Sequence, residues 1–250
     1  MADGLVLVTG SSGRIGRAVV GELQSVGRPV RGFDQVATPG LADMVVGTLT
    51  HEADVARAMR GAHAVVHLAA TPDDADFLAE IVPNNIIGVY HVMEQAQAAG
   101  VKRMVLASSG QVTWYQRFRG PWPIGTDVQP TPRYWYAAAK VFLEAAGRAF
   151  AEKYGMSVIA VRLGWCPRTK EQVEEIAASD WAQDVYLSPG DAGRFFAAAA
   201  LAPGAISYEV VYAASRPRQV AYMDLEPARR LLGWEPAESW PQGVDIVLGK

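Results

Sequence analysis

One stretch near the amino terminus decides the fold class: Leu5-Val6-Leu7-Val8-Thr9-Gly10-Ser11-Ser12-Gly13-Arg14-Ile15-Gly16. Its four aliphatic residues in succession predict a short buried strand. Three glycines, each three residues after the last, interrupt the apolar pattern, and beyond them apolar residues recur at helical spacing as far as Gly27. The stretch therefore predicts a strand, a glycine turn and a helix, which is the first half of a βαβ unit.

The rest of the chain repeats this alternation of short apolar strands with helices. The strands are predicted over 29–33, 44–46, 63–68, 104–107 and 157–162, and the helices over 54–60, 85–99 and 136–154. Such alternation is typical of right-handed crossovers, which give a parallel sheet with helices on both faces. We therefore expect an α/β protein with a Rossmann-type doubly wound parallel sheet, forming a single domain over 1–250.

Three segments break the alternation: residues 111–133, residues 165–190 and the tail after Tyr212. They hold many of the tryptophan and proline residues of the chain. Long irregular segments within a compact domain are usually functional. We expect the first two to be substrate loops, and the short C-terminal segment to complete a small substrate-binding region with them.

The composition excludes several classes of partner and site. The 250 residues include 23 Lys and Arg against 26 Asp and Glu, a net charge of −3, which gives no electrostatic reason to expect nucleic acid or an anionic membrane as partner. The single cysteine, Cys166, excludes an internal disulfide and a multi-cysteine metal cluster. The four histidines lie mostly in or beside predicted regular elements, so no metal site is expected. We expect a cytoplasmic protein.

The glycine turn and Asp34 predict a dinucleotide site. Glycine allows the chain to turn tightly and the backbone to approach a pyrophosphate, while the helix start offers free N–H groups to the phosphates. Asp34 ends the second predicted strand, 18 residues beyond Gly16 (34 − 16). A carboxylate there accepts hydrogen bonds from ribose hydroxyls and repels a 2′-phosphate, which favours NAD over NADP. Arg14 keeps NADP open, because a guanidinium near the phosphates also suits a phosphorylated ribose.

Three side chains carry the predicted chemistry. Tyr136 and Lys140 lie four residues apart on a predicted helix and so share one face. A free tyrosine titrates near ~10, and nearby positive charge stabilises its phenolate. We expect Lys140 to lower the pKa of Tyr136, which then acts as the base for an alcohol proton. Ser109 follows the fifth strand at the carboxyl edge of the sheet, where it can hold the substrate oxygen.

With the glycine motif, Asp34, Ser109 and the Tyr136-x-x-x-Lys140 pair in order, the chain resembles the short-chain dehydrogenase/reductase superfamily, in its extended, epimerase/dehydratase-like branch. Three further motifs are similar to motifs of that branch: His67-Leu68-Ala69-Ala70, Asn85-Ile86-Ile87-Gly88 and Gly233-Trp234-Glu235-Pro236. Within the branch, residues 85–90, the run over 161–166 and the compact size are most similar to uronate dehydrogenases. Those enzymes oxidise the anomeric carbon of a hexuronic acid to the lactone with NAD.

The resemblance implies a catalytic triad of Ser109, Tyr136 and Lys140, with Lys140 also holding the ribose, and a homodimer. The residues expected to bind the cofactor are Gly10, Ser12, Gly13, Arg14, Ile15, Gly16, Asp34, Leu49, Leu68, Ala69, Ala70, Asn85, Tyr136 and Lys140. The residues expected to bind the substrate are Thr71, Ser109, Gly110, Gln111, Trp165 and Arg168.

The chain departs from uronate dehydrogenases beside the catalytic serine and before the cysteine. Gly110-Gln111 replaces their Asn-His pair, and Trp165 replaces their serine. The expected substrate is therefore an altered acidic or neutral free sugar. Arg168, or Arg117 and Arg119 in the loop after strand five, are the expected partners of a substrate anion.

Three functions follow from these features, in decreasing order of support. The first is an NAD-dependent dehydrogenase that oxidises a free sugar or sugar acid at the anomeric carbon. The second is an epimerase, dehydratase or reductase of a nucleotide-linked sugar, which needs a larger substrate lobe than the segment after strand six provides. The third is a non-catalytic dinucleotide-binding regulator, which has no need of Ser109, Tyr136 and Lys140 together.

Overall fold

A computed structural model describes residues 4–73, 75–203 and 206–247. Residues 1–3, 74, 204–205 and 248–250 of the domain expected over 1–250 lie outside the described residues. The strands are β1 Leu5–Thr9, β2 Val30–Asp34, β3 Met44–Val46, β4 Ala62–His67, β5 Arg103–Ser109, β6 Ser157–Leu163 and β7 Tyr208–Ala213. They form a seven-stranded sheet in the order β3-β2-β1-β4-β5-β6-β7, and all neighbouring strands pair in parallel.

Helices cover both faces of the sheet. They are α1 Arg14–Ser25, α2 Glu52–Met59, α3 Gly88–Ala98, α4 Trp135–Tyr154, α5 Lys170–Ala177, α6 Asp180–Asp184, α7 Pro189–Leu201, α8 Glu226–Leu232 and α9 Val244–Val247. A π-helix, Phe77–Ile87, precedes α3, and a 3₁₀ helix, Gly110–Phe118, follows β5. The expected Rossmann-type doubly wound fold is confirmed.

The two cores explain why the strands are apolar throughout. Alternate residues of a strand point to opposite faces, so a central strand with helices on both sides buries every side chain. In β1, Val6 and Val8 pack in the core beneath α1 and α7. Leu7 packs in the opposite core, beneath α2, α3 and α4.

The structure corrects several sequence predictions outside these central elements. The strand β7 and the helix α7 were not predicted, and the segment 165–190 contains α5 and α6 instead of being irregular throughout. The helix expected over 85–99 is α3 alone, because residues up to Ile87 belong to the π-helix. None of the helices in the described ranges combines the length and the apolar character that crossing a bilayer requires.

Candidate active site

The glycine turn between β1 and α1 packs closely against the backbone at Ala69 and against the start of α1. Gly10 has a φ of +71°, and a Cβ there would lie 2.8 Å from the backbone nitrogen of Ala69. A Cβ on Gly16 would lie 2.0 Å from the carbonyl oxygen of Gly10, so helix α1 packs on the turn only with glycine at this position. Gly13 caps α1 without a side-chain hydrogen bond, which leaves N–H groups of the first helical turn for a ligand.

A cavity of about 450 Å³ opens beside this turn, at the carboxyl ends of the central strands. All the expected cofactor residues except Ser12 and Asn85 line it: Gly10, Gly13, Arg14, Ile15, Gly16, Asp34, Leu49, Leu68, Ala69, Ala70, Tyr136 and Lys140. Thr71, expected to bind substrate, also lines this cavity. The sequence thus predicted most of one continuous surface.

Ser12 and Asn85 lie behind the cavity wall and hold residues that line it. The backbone N–H of Ser12 donates to Oδ2 of Asp34 at 2.9 Å, which fixes the orientation of that carboxylate. The buried Asn85 amide accepts from the Thr71 backbone N–H at 2.8 Å and donates to the Thr71 carbonyl at 2.9 Å. The neighbouring Asn84 lines the cavity instead.

A second cavity of about 430 Å³ adjoins the first, and both are bordered by Ser108, Tyr136 and Leu163. The residues expected to bind substrate that line it are Ser109, Gly110, Gln111, Trp165 and Arg168. Arg117, an expected partner of a substrate anion, also lines it. Side chains that were not assigned to the site complete the wall: Trp114, Arg133, Trp181, Tyr222 and Met223. Several belong to the tryptophan-rich irregular segments, which was the signal in the sequence that pointed to them.

Ser109, Tyr136 and Lys140 come together at the border between the two cavities. Ser109 ends β5, and its side chain lies near the Tyr136 phenol from the first turn of α4, where it lowers the pKa of that phenol. The Lys140 ammonium lies 5.5 Å from the centre of the Tyr136 ring and donates to the carbonyl of Ala107 at 2.7 Å. The geometry therefore places a hydroxyl, a phenol and an ammonium at one point.

Burial is the main cause of the shifted pKa values of Tyr136 and Lys140. It raises the pKa of Tyr136 to about 12, which the interaction with the Ser109 side chain opposes. It lowers the pKa of Lys140 to about 8. The net pKa of Tyr136 lies above its ordinary value because burial outweighs the favourable interactions of the phenolate, and the lowering of this pKa by Lys140 stays a prediction.

A buried ion pair holds Ser108, the residue that precedes Ser109 in β5. The Glu144 carboxylate accepts from the guanidinium of Arg162 at 2.9 and 3.0 Å and from the hydroxyl of Ser108 at 2.6 Å. Arg162 and Glu144 are both buried, and their charges balance within the wall. The sequence signal for this pair was an arginine inside the otherwise apolar strand β6.

The arginines expected to meet a substrate anion differ in their surroundings. Arg168 lines both cavities but is ion-paired with Asp73. Arg119 is exposed and lines neither cavity, so its expected role has no support in the geometry. Arg117 lines the second cavity. Across the described ranges, no group of three His, Cys, Asp or Glu side chains has the arrangement of a metal site.

Comparison with known proteins gives the family. The model of the NAD dependent epimerase/dehydratase family matches residues 6–165 of this chain. The chain belongs to this family. The expected resemblance to the epimerase/dehydratase branch is thereby confirmed, and the glycine turn, Asp34 and Tyr136 all lie within the matched part.

Members of the family that resemble this chain over most of their length include sugar dehydrogenases. The L-arabinose 1-dehydrogenase (NAD(P)(+)) of Haloferax volcanii is 30% identical, over 94% of this chain and 96% of the relative. The NAD-dependent glucose-6-phosphate dehydrogenase of the same organism is 27% identical, over 95% and 94%. The solved structure of a glucuronic acid dehydrogenase from Chromohalobacter salexigens has a TM-score of 0.80 at 25% identity, over 98% of this chain and 88% of that one.

Proposed function

We propose that this protein is an NAD-dependent dehydrogenase that oxidises a free sugar or sugar acid at the anomeric carbon, giving the lactone. One observation carries the proposal: Tyr136, with Ser109 beside it, stands where a cavity bordered by the glycine turn meets a second, aromatic cavity. The names of the family relatives, which are dehydrogenases of arabinose, glucose 6-phosphate and glucuronic acid, support the same reaction class.

The first cavity fits NAD. Gly10 and Gly16 let the turn pack backbone to backbone against Ala69 and the start of α1, which brings the N–H groups of the first helical turn to the edge of the cavity. Asp34 presents a fixed carboxylate suited to ribose hydroxyls. The same carboxylate disfavours the 2′-phosphate of NADP, although Arg14 also borders the cavity, so both cofactors belong in the assay. When bound, NAD accepts the hydride that leaves the sugar carbon.

The residues of the chain then handle the proton. Tyr136 accepts the proton of the anomeric hydroxyl, and Ser109 holds the same oxygen in position. Because burial raises the pKa of Tyr136, the phenolate needs added positive charge near it, and Lys140 is the cation within reach. A lysine ammonium is also suited to hold ribose hydroxyls.

Replacement of the base tests the proposal. Tyr136→Phe should lower NADH formation about 10²–10⁴-fold, which is the usual contribution of a general base, while the Kd for NAD stays within about twofold. Tyr154→Phe, the same change at the far end of α4, is the matched control and should leave both values unchanged. Undiminished NADH formation by Tyr136→Phe would show that Tyr136 is not the base of the reaction.

The same assay separates the alternative functions. Stoichiometric NADH formation from a free sugar supports the dehydrogenase. Redox-neutral conversion of a nucleotide sugar would replace it with an epimerase or dehydratase. Dinucleotide binding without turnover of any sugar would favour a regulator.

A homodimer in the cytoplasm completes the proposal. The exposed face of α4 carries Phe142, Ala145 and Ala149, whose spacing aligns them on one stripe. Small residues on such a stripe permit close approach of a second helix. A cytoplasmic location suits a protein whose single thiol has no partner to oxidise with.

A further inference from the structure

The second cavity contains two arginine side chains whose charges are not balanced by any carboxylate among the described residues. The guanidinium carbons of Arg117 and Arg133 lie 3.6 and 4.1 Å from the centre of the same ring, that of Trp114. Arg117 also lies 4.0 Å from the ring centre of Trp181. Neither arginine has a hydrogen bond or an ion pair with any residue that the structure describes.

Aromatic stacking uses the flat faces of a guanidinium and leaves its N–H edge free. The edges of Arg117 and Arg133 therefore keep their donors for an acceptor in the cavity. Both side chains are half-buried, and burial together with the neighbouring charge of Arg133 lowers the pKa of Arg117. Two like charges placed side by side and partly withdrawn from water are unfavourable unless an anion joins them.

The other charged groups that line the cavity in the described ranges do not supply that anion. Asp73 is ion-paired with Arg168, and Glu175 is exposed and pairs with neither of the two stacked arginines. The indole Nε1 of Trp181 also has no acceptor within the described part of the chain, but it is buried and is not counted among the donors that face the cavity.

The number of donors indicates the shape of the anion. A planar carboxylate is satisfied by one guanidinium through two parallel hydrogen bonds. A tetrahedral oxyanion carries three terminal oxygens and accepts from several donors at once. Two guanidinium edges match the second case better than the first.

We propose that Arg117 and Arg133 form a subsite for a tetrahedral oxyanion, a phosphate, sulfate or sulfonate group, carried by the sugar at the end remote from the oxidised carbon. The inference rests on the proposed function for the reacting end, because Ser109 and Tyr136 border the same cavity. It makes this enzyme selective for strongly acidic sugars over neutral ones and over uronates.

A substrate panel tests the selectivity. The panel is glucose, glucuronate, glucose 6-phosphate, glucose 6-sulfate and 6-deoxy-6-sulfoglucose, with NADH formation as the readout. At least one of the last three should exceed glucuronate by about tenfold or more in kcat/KM, and glucose by more than that, because each charged hydrogen bond lost costs about tenfold. The best of the three identifies the anion. Equal or better use of glucuronate or glucose would overturn the subsite.

Variants assign the selectivity to the two arginines. Arg117→Met and Arg133→Met keep apolar packing on Trp114 and should each lower the ratio of kcat/KM between the best anionic sugar and glucose by about tenfold or more, chiefly through KM. Arg117→Lys keeps the charge without the planar fork and should fall between these variants and the native protein. Arg119→Met, in the same loop but outside both cavities, should leave the ratio unchanged. An unchanged ratio in all the Arg117 and Arg133 variants would overturn the assignment.

A binding experiment separates this inference from the proposed reaction. The probe is 1,5-anhydroglucitol 6-phosphate, which has no anomeric hydroxyl to oxidise, measured by calorimetry in the presence of NAD. It should bind at least about tenfold more tightly than 1,5-anhydroglucitol, and Arg117→Met should remove the difference. Binding without turnover of any sugar would refute the proposed reaction and leave the subsite standing. Turnover of sugars with equal binding of the two probes would refute the subsite alone.

Discussion

At the scale of single residues, burial holds Tyr136, Lys140 and His67 away from their usual pKa values. Lys140 is buried, and its ammonium donates to one backbone carbonyl, that of Ala107. Burial lowers its pKa from 10.5 to about 8. His67 is buried beside it, and burial and the charge of Lys140 lower the pKa of His67 to about 3, so that this histidine stays neutral. Of Tyr136, Lys140 and His67, the lysine is therefore the group whose pKa lies closest to neutral pH.

The depressed pKa of Lys140 makes stability depend on pH. Between about pH 8 and pH 10.5 the unfolded chain binds a proton that the folded protein has released, so the free energy of unfolding rises with pH in this window. The contribution amounts to about 3 kcal/mol at the upper limit and is lost as the pH falls through about 8. Urea unfolding between pH 7.5 and 10 should show the native protein gaining stability relative to Lys140→Met. A constant difference between the two proteins would contradict the shift.

At the scale of elements, the sequence was sufficient where a pattern is local. The strand β1, the glycine turn and α1 follow one another within the first 25 residues, and each has its own pattern. The π-helix was missed because Pro83 lies inside it and proline usually ends a helix. Contacts with α4, including the stacking of Phe77 on Trp135, hold this segment, and spacing does not reveal such contacts. The strand β7 pairs only with β6, at the edge of the sheet, and its exposed Glu209 interrupts the apolar pattern.

One segment of the second cavity's wall, residues 218–223, is held in place by a single carboxylate. Asp184, buried in α6, accepts from the backbone N–H groups of Arg218, Gln219 and Val220 at 2.7, 2.8 and 3.0 Å. These residues begin the segment that brings Tyr222 and Met223 into the cavity wall. The carboxylate therefore positions a wall of the site without lining it.

Removal of this carboxylate should affect substrate more than cofactor. Asp184→Ala leaves three N–H groups without their acceptor, which should cost about 1–3 kcal/mol of unfolding free energy and raise the KM for the sugar. The Kd for NAD should stay unchanged, because the displaced segment does not border the first cavity. Asp180→Ala, an exposed change in the same helix, is the control for urea unfolding and kinetics. A larger effect on NAD than on the sugar would refute the positioning role.

At the scale of the whole molecule, the two halves of the site differ in how far the sequence revealed them. The first cavity is built from motifs that can be recognised within a short stretch of sequence, such as Gly10 to Gly16 and the carboxylate of Asp34. The second is assembled from segments far apart in the chain, as when Trp114 meets Trp181 at 5.6 Å. The tryptophans marked these segments as functional, but only the folded chain shows which side chains meet. The contact of both Arg117 and Arg133 with the Trp114 ring is likewise visible only in the folded chain.

The proposed homodimer is also a property of the whole molecule, and one substitution tests it. The native protein should sediment at twice 26.9 kDa. Ala145→Arg would place a long cation on the exposed face of α4, where it prevents close contact with a second helix, and should yield monomers. Gln24→Arg on α1, exposed on the opposite face of the sheet, is the control and should remain dimeric. Because α4 also carries Tyr136 and Lys140, loss of the partner helix should lower the melting temperature together with the rate. A monomeric native protein, or a dimeric Ala145→Arg, would place the contact elsewhere or exclude it.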